Sequence, residues 1–247
     1  HRDLHSFPTR RSSDLVHGMG GSHSSNYMIR MAKKNYAKGK KVIRVNLRGC
    51  GSGAGLSKLP YNAGTSHDIL KVLEVFTQKA PLSEIVVIGF SLGGNVVLKL
   101  AGELKANAKT LVKKFIAVCP PLDLEQCVKS LEARHNRVYH FHYLKWIHKQ
   151  AKPWILTKKF KSLYDFDNNV TAPLWGYKDA SEYYETCSSL RFLPTIEQPT
   201  HILLAKDDPF VPFDKCKPVC LPPSVKMWVT EKGSHMGFIG KGLNGES

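Results

Sequence analysis

The sequence predicts an α/β protein with a mostly parallel β-sheet and helices on both faces of the sheet. Short apolar, β-branched runs alternate along the chain with segments in which apolar residues recur at helical spacing. A run that is apolar at nearly every position is typical of a parallel strand, because helices cover both faces of such a sheet. The predicted strands are 42–47, 85–90, 115–119, 201–205 and 225–229.

Two helices are predicted between these strands. One begins at Thr65 or Ser66, either of which can cap it, and the other directly follows the strand at 85–90. Each predicted helix carries an apolar face that can pack against a sheet. The residues on these faces are Ile69, Leu70, Leu73 and Phe76 in the first helix, and Val96, Val97, Leu100, Ala101 and Leu104 in the second.

Composition fits one soluble domain of 247 residues, with 42% hydrophobic and 23% charged residues. No stretch approaches the roughly 20 apolar residues that span a bilayer. The net charge of +16 can attract anionic surfaces or acidic ligands. We predict no nucleic-acid partner, because no zinc-finger spacing or RNA-binding aromatic motif accompanies the charge. Scattered cysteines without a disulfide pattern indicate a cytoplasmic protein, with peripheral membrane association left open.

The first fifteen residues do not match the rest of the chain. Residues 5–15 correspond to the translation of a common sequencing-adapter oligonucleotide, so we interpret residues 1–15 as foreign and place the domain at 16–247. A signal peptide would need an apolar stretch of about 7–15 residues after its basic start, and none follows. The domain is therefore expected to be truncated at its N-terminus.

The segment between about 122 and 199 contains no buried-strand run and is predicted to be an inserted helical cap. Aromatic and basic residues mix at 139–148, which indicates an amphipathic helix that packs as a lid or contacts a membrane surface. His140, His142 and His148 lie in or near this helix, but their spacing fits no zinc motif, so no metal is predicted.

Ser91 is the predicted nucleophile. The pattern Gly89-Phe-Ser91-Leu-Gly93 follows a buried strand and opens a helix. This context is typical of the nucleophile elbow of the α/β-hydrolase fold, in which a sharp turn exposes the serine hydroxyl. The alternative is an ordinary glycine-rich turn with an unreactive serine.

Serine needs a base, and in this fold the acid and then the histidine follow the serine along the chain. His235 lies in a glycine-flanked loop after the last predicted strand. Asp207 and Asp208 follow the strand at 201–205, and we assign Asp208 as the acid because it directly precedes Pro209. Asp207 can instead cap the turn, and the Asp-Asp pair could also bind a cation.

Two backbone N–H groups are predicted to form the oxyanion hole. Leu92 directly follows the nucleophile, and Met19 lies in the segment His17-Gly-Met-Gly-Gly21, which resembles the His-Gly loop that supplies the second donor. The glycine-rich segment 48–53 lacks the spacing of a phosphate-binding loop and is interpreted as a turn bordering the active site.

Taken together, these motifs resemble the AB hydrolase 4 family, which includes the YheT-like hydrolases and their eukaryotic abhydrolase-domain relatives. Further segments that carry the resemblance are Asn46-Leu-Arg-Gly-Cys-Gly51, Trp175-Gly-Tyr-Lys-Asp-Ala180, Ala205-Lys-Asp-Asp-Pro-Phe210 and His235-Met-Gly-Phe-Ile-Gly240. The resemblance covers residues 16–240 and implies a triad of Ser91, Asp208 and His235. It also implies hydrolysis of short- to medium-chain acyl esters or lipid esters without a cofactor.

Acyl transfer by the same triad and a non-catalytic lipid-binding role are the alternatives. The family carries a strand before the His-Gly loop, between the strands at 42–47 and 85–90. With residues 1–15 excluded, this strand is expected to be absent. Two central strand edges would then lose their partners, so we expect an unstable or aggregation-prone chain.

Overall fold

A computed structural model describes residues 11–238 apart from residues 82, 156–158 and 217–219, and apart from the side chains of residues 150–155 and 216. Residues 1–10 of the segment interpreted as foreign and residues 239–240 of the last motif lie outside the described residues. The strands are β1 (Arg11–Val16), β2 (Lys41–Val45), β3 (Glu84–Phe90), β4 (Lys114–Val118), β5 (Thr200–Ala205) and β6 (Val225–Thr230).

The strands of the described chain form one parallel sheet in the order β2-β1-β3-β4-β5-β6. The predicted α/β class and all five predicted strands are confirmed. The central strand β3 is buried at five of its seven positions, as its apolar sequence requires. Ser91 directly follows the carboxyl end of β3. It therefore lies at the edge of the sheet where ligands bind in open α/β folds.

Helices cover both faces of the sheet. On one face α3 lies almost completely buried against β3 and β4, and α2 packs beside α3. On the other face α1 contacts β1 and β2. The predicted apolar faces pack inward, with Ile69 and Leu73 of α2 and Val96, Val97 and Leu100 of α3 all buried. The ranges of these helices are α1 (Asn26–Ala37), α2 (Ser66–Lys79) and α3 (Leu92–Leu104).

The expectation that the strand before the His-Gly loop is absent is wrong. Strand β1 occupies that position, pairing with β2 on one side and with β3 on the other. A ladder needs only backbone N–H and C=O groups, so a polar sequence can complete it. As a result, three polar side chains, those of Ser12, Ser13 and Asp14, are buried in the middle of the sheet.

The described part of the chain between β4 and β5 is helical, in line with the cap placed at about 122–199. Asp123, Ser162 and Asp179 begin three of these helices, and each side chain accepts a hydrogen bond from a backbone N–H in the first turn. The elements are α4 (Leu124–Glu132), α5 (Arg137–Ile155), α6 (Leu163–Phe166), a π-helical turn (Asp167–Thr171), α7 (Ala172–Trp175) and α8 (Ala180–Cys187). A last short helix, α9 (Phe213–Cys216), follows β5.

The cap has an apolar core of its own, which includes Leu124, Ile147, Leu163 and Phe166. Its longest helix, α5, reaches the core domain through Trp146, whose ring lies against Gly20 of the His-Gly loop. None of the described helices combines the length and the apolar character needed to cross a membrane.

Candidate active site

Ser91 lies in the tight turn between β3 and α3. Its backbone has a φ of 49° and a ψ of −123°, a conformation that L-residues rarely adopt and that costs on the order of 1–3 kcal/mol. A Cβ at position 89 would lie 2.3 Å from the carbonyl oxygen of Gly93, and a Cβ at position 93 would lie 2.4 Å from that of His17. The two glycines of the motif are therefore required by close backbone approaches on either side of the serine.

The structure brings Ser91, His235 and Asp208 into one hydrogen-bonded chain. His235 Nε2 lies 2.9 Å from Ser91 Oγ, and His235 Nδ1 lies 2.8 Å from Asp208 Oδ2. Because a carboxylate only accepts hydrogen bonds, Nδ1 donates to Asp208 and Nε2 is left to accept the Ser91 proton. The three residues are 27 and 144 positions apart along the chain, so the fold alone assembles them.

Both partners of Ser91 are held in place by further contacts. The second oxygen of Asp208 accepts hydrogen bonds from the N–H groups of Phe210 and Val211 at 2.9 and 3.1 Å, and the side chain of Asp208 is fully buried. The ring of Phe210 packs edge-on against the His235 ring at a centroid distance of 4.9 Å. These contacts fix the carboxylate and limit rotation of the imidazole.

Asp207 has a different role from Asp208. Its Oδ1 accepts a hydrogen bond from the N–H of Ser234 at 2.7 Å, directly before His235. Ser234 and Met236 both have positive φ values, so the loop around His235 adopts a strained path. The Asp207 carboxylate thus ties this loop to the end of β5.

The predicted oxyanion loop is fixed by the side chain of His17. His17 is fully buried, and burial lowers its pKa, so the ring is neutral. Its Nε2 accepts the N–H of Leu47 at 3.1 Å, so Nδ1 carries the proton and donates to the carbonyl of Gly18 at 2.8 Å. The ring therefore anchors the loop to the segment that follows β2.

Two tyrosine hydroxyls flank Met19 within this loop. The N–H of Gly18 donates to the Tyr27 hydroxyl at 2.9 Å, and the N–H of Gly20 donates to the Tyr61 hydroxyl at 3.2 Å. The N–H of Met19, between them, has no acceptor among the described residues, and the same holds for the N–H of Leu92. Two donors thus stay open beside Ser91, as an oxyanion hole requires.

Cys119 lies close enough to Asp208 and His235 to form a group of possible metal ligands with them. One ligand atom each from Cys119, Asp208 and His235 lie within 4.8 Å of one another. Burial, followed by the nearby charge of Asp208, raises the pKa of the Cys119 thiol to about 12. Two of these groups, Asp208 and His235, are already hydrogen-bonded to each other in the chain that leads to Ser91.

A cavity opens from Ser91 and His235 into the cap. Its wall is mainly apolar and aromatic, which suits an acyl chain more than a charged ligand. Asp167 is the one carboxylate of the cap among the described residues that line it. The apolar lining includes Met19, Leu92, Leu124, Val128, Leu131, Tyr143, Trp146, Ile147, Leu163, Phe166 and Phe210.

The glycine-rich segment 48–53 does not border this cavity, so the interpretation of it as an active-site turn is wrong. Arg48 instead forms an ion pair with Asp68 at the start of α2 and stacks over the Trp175 ring at 5.5 Å. Arg48 and its neighbours line a separate depression beside α2. The segment turns the chain away from the sheet after β2.

Sequence reasoning did not assign roles to Tyr27, Tyr61 or Asp167. The two tyrosines act through hydroxyl contacts to glycine N–H groups that are 9 and 41 positions away, and no local motif marks such contacts. Asp167 is one of several acidic residues between β4 and β5, so the sequence did not single it out.

Residues 15–145, just over half of the chain, match the family model described as the alpha/beta hydrolase fold. YheT of Escherichia coli (strain K12), which is named as an esterase, is 31% identical over 92% of this chain and 70% of its own length. The monoacylglycerol lipase of Saccharomyces cerevisiae is 27% identical over 91% of this chain, which spans only 54% of that relative. Among solved structures, the Pyrococcus furiosus esterase Pf2001 shares the fold with a TM-score of 0.61 and 18% identity, over 94% of this chain and 77% of that one. The chain belongs to the α/β-hydrolase family and is a YheT-like member of it.

Proposed function

We propose that the protein hydrolyses carboxylic esters, with Ser91 as nucleophile, His235 as general base and Asp208 as the acid that orients the imidazole. The observation that carries the proposal is the hydrogen-bonded chain from Ser91 Oγ through His235 to Asp208 Oδ2, next to two unoccupied N–H donors. Relatives named as an esterase and as a monoacylglycerol lipase support an ester substrate.

The first half of the reaction forms an acyl-enzyme. Ser91 Oγ attacks the acyl carbon while its proton passes to His235 Nε2. The N–H groups of Met19 and Leu92 stabilise the negative charge that develops on the carbonyl oxygen. The bond to the alcohol then breaks, and His235 gives its proton to the leaving alkoxide oxygen.

The second half returns the enzyme to its starting state. His235 takes a proton from water, and the resulting hydroxide oxygen attacks the acyl carbon of the Ser91 ester. The carboxylic acid leaves, and the proton on His235 returns to Ser91 Oγ. Asp208 stabilises the imidazolium in both halves without taking up the proton.

The cavity supports an acyl chain of short to medium length as the bound portion. Its apolar wall in the cap, formed by residues such as Leu124, Val128 and Phe166, removes hydrocarbon from water, at about 0.8 kcal/mol per buried methylene. The value of kcat/KM should therefore rise with acyl length until the cavity is filled.

Labelling by a fluorophosphonate probe tests the proposal. The wild-type protein should be labelled in the presence of EDTA, and Ser91→Ala should not be labelled. Ser181→Ala removes an exposed hydroxyl in α8 and is the matched control, which should label normally. Hydrolysis of p-nitrophenyl esters from acetate to decanoate measures the acyl preference. A folded wild-type sample that neither labels nor hydrolyses any of these esters would contradict the proposal.

We also infer peripheral contact with anionic membrane surfaces through α5. Val138 and Phe141 lie on one side of this helix and are 81% and 70% exposed. Lys145 and Lys149 continue the same side at helical spacing and are exposed as well. Apolar side chains beside basic ones suit an interface of acyl chains and acidic headgroups.

A further inference from the structure

Asp167 is a buried carboxylate in the wall of the cavity that contains Ser91 and His235. It is 8% exposed and belongs to the π-helical turn between α6 and α7. Such turns occur frequently at functional sites, because they interrupt the regular helix and redirect side chains. The turn places a carboxylate in the cap wall of a cavity whose other cap residues are mainly apolar or aromatic, with Thr171 as a polar neighbour.

The hydrogen bonds to Asp167 leave capacity for another donor. Thr171 Oγ1 donates to Oδ1 at 2.6 Å, and the Tyr184 hydroxyl donates to Oδ2 at 2.8 Å. A carboxylate can accept about four hydrogen bonds, so each oxygen can take a further one. Within the described chain, no Lys, Arg or His forms an ion pair with Asp167, and burial raises its pKa to about 6.

A buried carboxylate without a cation does not stabilise the cap. Removing a charge from water is costly, and apolar side chains of similar volume are often at least as stabilising as buried ionic groups. Two neutral hydroxyl donors compensate only part of this cost. Asp167 lines the cavity in which the substrate of the proposed hydrolase would lie.

We propose that Asp167 is a specificity residue that accepts a hydrogen bond from a hydroxyl group of the substrate, on a part of the molecule away from the ester bond. This inference rests on the proposed ester hydrolysis for the identity of the substrate. A hydroxyl donor to a carboxylate makes a charge-assisted bond, which is stronger than a neutral one. An ammonium ligand is disfavoured by the strongly positive chain, with a net charge of +16.

Binding to the Ser91→Ala protein tests the inference without turnover. Calorimetry would compare 1-hexanol, 1,6-hexanediol and 6-amino-1-hexanol, which differ only at one end. The diol should bind about tenfold more tightly than hexanol, as expected for one hydrogen bond to a charged acceptor. Tighter binding of the amino alcohol than of the diol, lost in the Asp167 variants, would overturn the assignment of a hydroxyl ligand.

Two substitutions of Asp167 in the Ser91→Ala protein separate recognition of the ligand hydroxyl from effects on folding. Asp167→Asn keeps the shape and one acceptor, and should reduce the preference for the diol to about threefold. Asp167→Leu should abolish the preference, and the Asn variant carries the test if the Leu variant does not fold. Asp214→Asn makes the same chemical change at an exposed position in α9 and should leave the preference unchanged.

Turnover distinguishes this inference from the proposed function. In the protein with Ser91 intact, kcat/KM should be about tenfold higher for p-nitrophenyl 6-hydroxyhexanoate than for p-nitrophenyl hexanoate, and Asp167→Asn should lower that ratio. Cleavage of both esters at equal rates would overturn the role of Asp167 and leave ester hydrolysis standing. Absence of Ser91-dependent cleavage, together with Asp167-dependent diol binding, would overturn the hydrolase and retain the binding site.

Discussion

The hydroxyl of Tyr61 accepts a hydrogen bond from the N–H of Gly20 at 3.2 Å, directly beside the proposed oxyanion donor Met19. Tyr61 is therefore a positioning residue for the loop. We expect Tyr61→Phe to lower kcat about tenfold with little change in KM, because a displaced oxyanion donor affects the transition state more than substrate binding. Steady-state kinetics on a p-nitrophenyl ester measures both constants.

Tyr36→Phe is the control for this prediction, since Tyr36 is 69% exposed in α1. It should leave both constants unchanged. A tenfold rise in KM without loss of kcat in Tyr61→Phe would contradict the prediction. It would indicate that Tyr61 contributes to substrate binding and does not position the loop.

The two neighbouring aspartates should differ sharply in their effect on activity. Asp208→Asn replaces the acceptor at His235 Nδ1, which favours the wrong imidazole tautomer, and should lower kcat by about 10³–10⁴. Asp207→Asn keeps an oxygen that can accept the N–H of Ser234, so kcat should fall by less than about tenfold. Measuring kcat for both variants checks the assignment of Asp208 as the acid, and circular dichroism verifies that both are folded. Similar losses of kcat in the two variants would contradict the assignment.

Asp14 should destabilise the fold in a pH-dependent way. Burial in the middle of β1 raises its pKa from 3.8 to about 7, and its Oδ2 has no hydrogen-bond partner. Between these pH values the folded state binds a proton that the unfolded state lacks, so stability falls as pH rises from about 4 to 7. The full penalty, on the order of 4 kcal/mol, applies above pH 7.

Urea unfolding of the wild type and of Asp14→Val tests this at pH 5 and pH 8. The variant should be more stable at pH 8, with a smaller difference at pH 5. Asp167 also has a raised pKa, of about 6, so it too lowers the stability of both proteins as pH rises. The wild type and Asp14→Val are therefore compared with each other at each pH, which cancels the effect of Asp167. If Asp14→Val is no more stable than the wild type at pH 8, burial of the ionised Asp14 carboxylate does not destabilise the fold.

Contact of α5 with membranes predicts a specific loss of vesicle binding. The double substitution Val138→Ser and Phe141→Ser should reduce co-sedimentation with vesicles of phosphatidylcholine and phosphatidylserine at least several-fold, because it removes apolar area that would enter the interface. High salt should weaken binding of the wild type. Leu56→Ser, at a residue that is 84% exposed away from α5, should bind as the wild type does. Equal binding by all three proteins would place the contact elsewhere.

Local patterns were sufficient to predict five of the six strands of the described sheet and the elbow. The short apolar run 85–90 indicates a buried strand because it is rich in Ile and Val, and the glycines around Ser91 indicate the turn that follows. Strand β1 was missed because residues 1–15 were set aside as foreign, and its pairing with β2 and β3 places Ser12, Ser13 and Asp14 within the sheet.

The site was only partly accessible from the sequence. Chain order and loop position suggested His235 and Asp208, because the strand ends that carry them are predictable. The contacts of Tyr61 and Asp167 depend on tertiary packing, which brings a loop before α2 to the His-Gly loop and a π-helical turn to the cavity wall. Periodicity contains no information about such contacts.

Trapping of the acyl-enzyme tests the central claim most directly. The wild-type protein would be mixed with p-nitrophenyl hexanoate, quenched in acid within the first turnovers, digested and analysed by mass spectrometry. We predict a hexanoyl group on the peptide that contains Ser91, and none in Ser91→Ala. Ester turnover by a protein whose Ser91 peptide stays unmodified, or a hexanoyl group found only at another residue, would contradict the account.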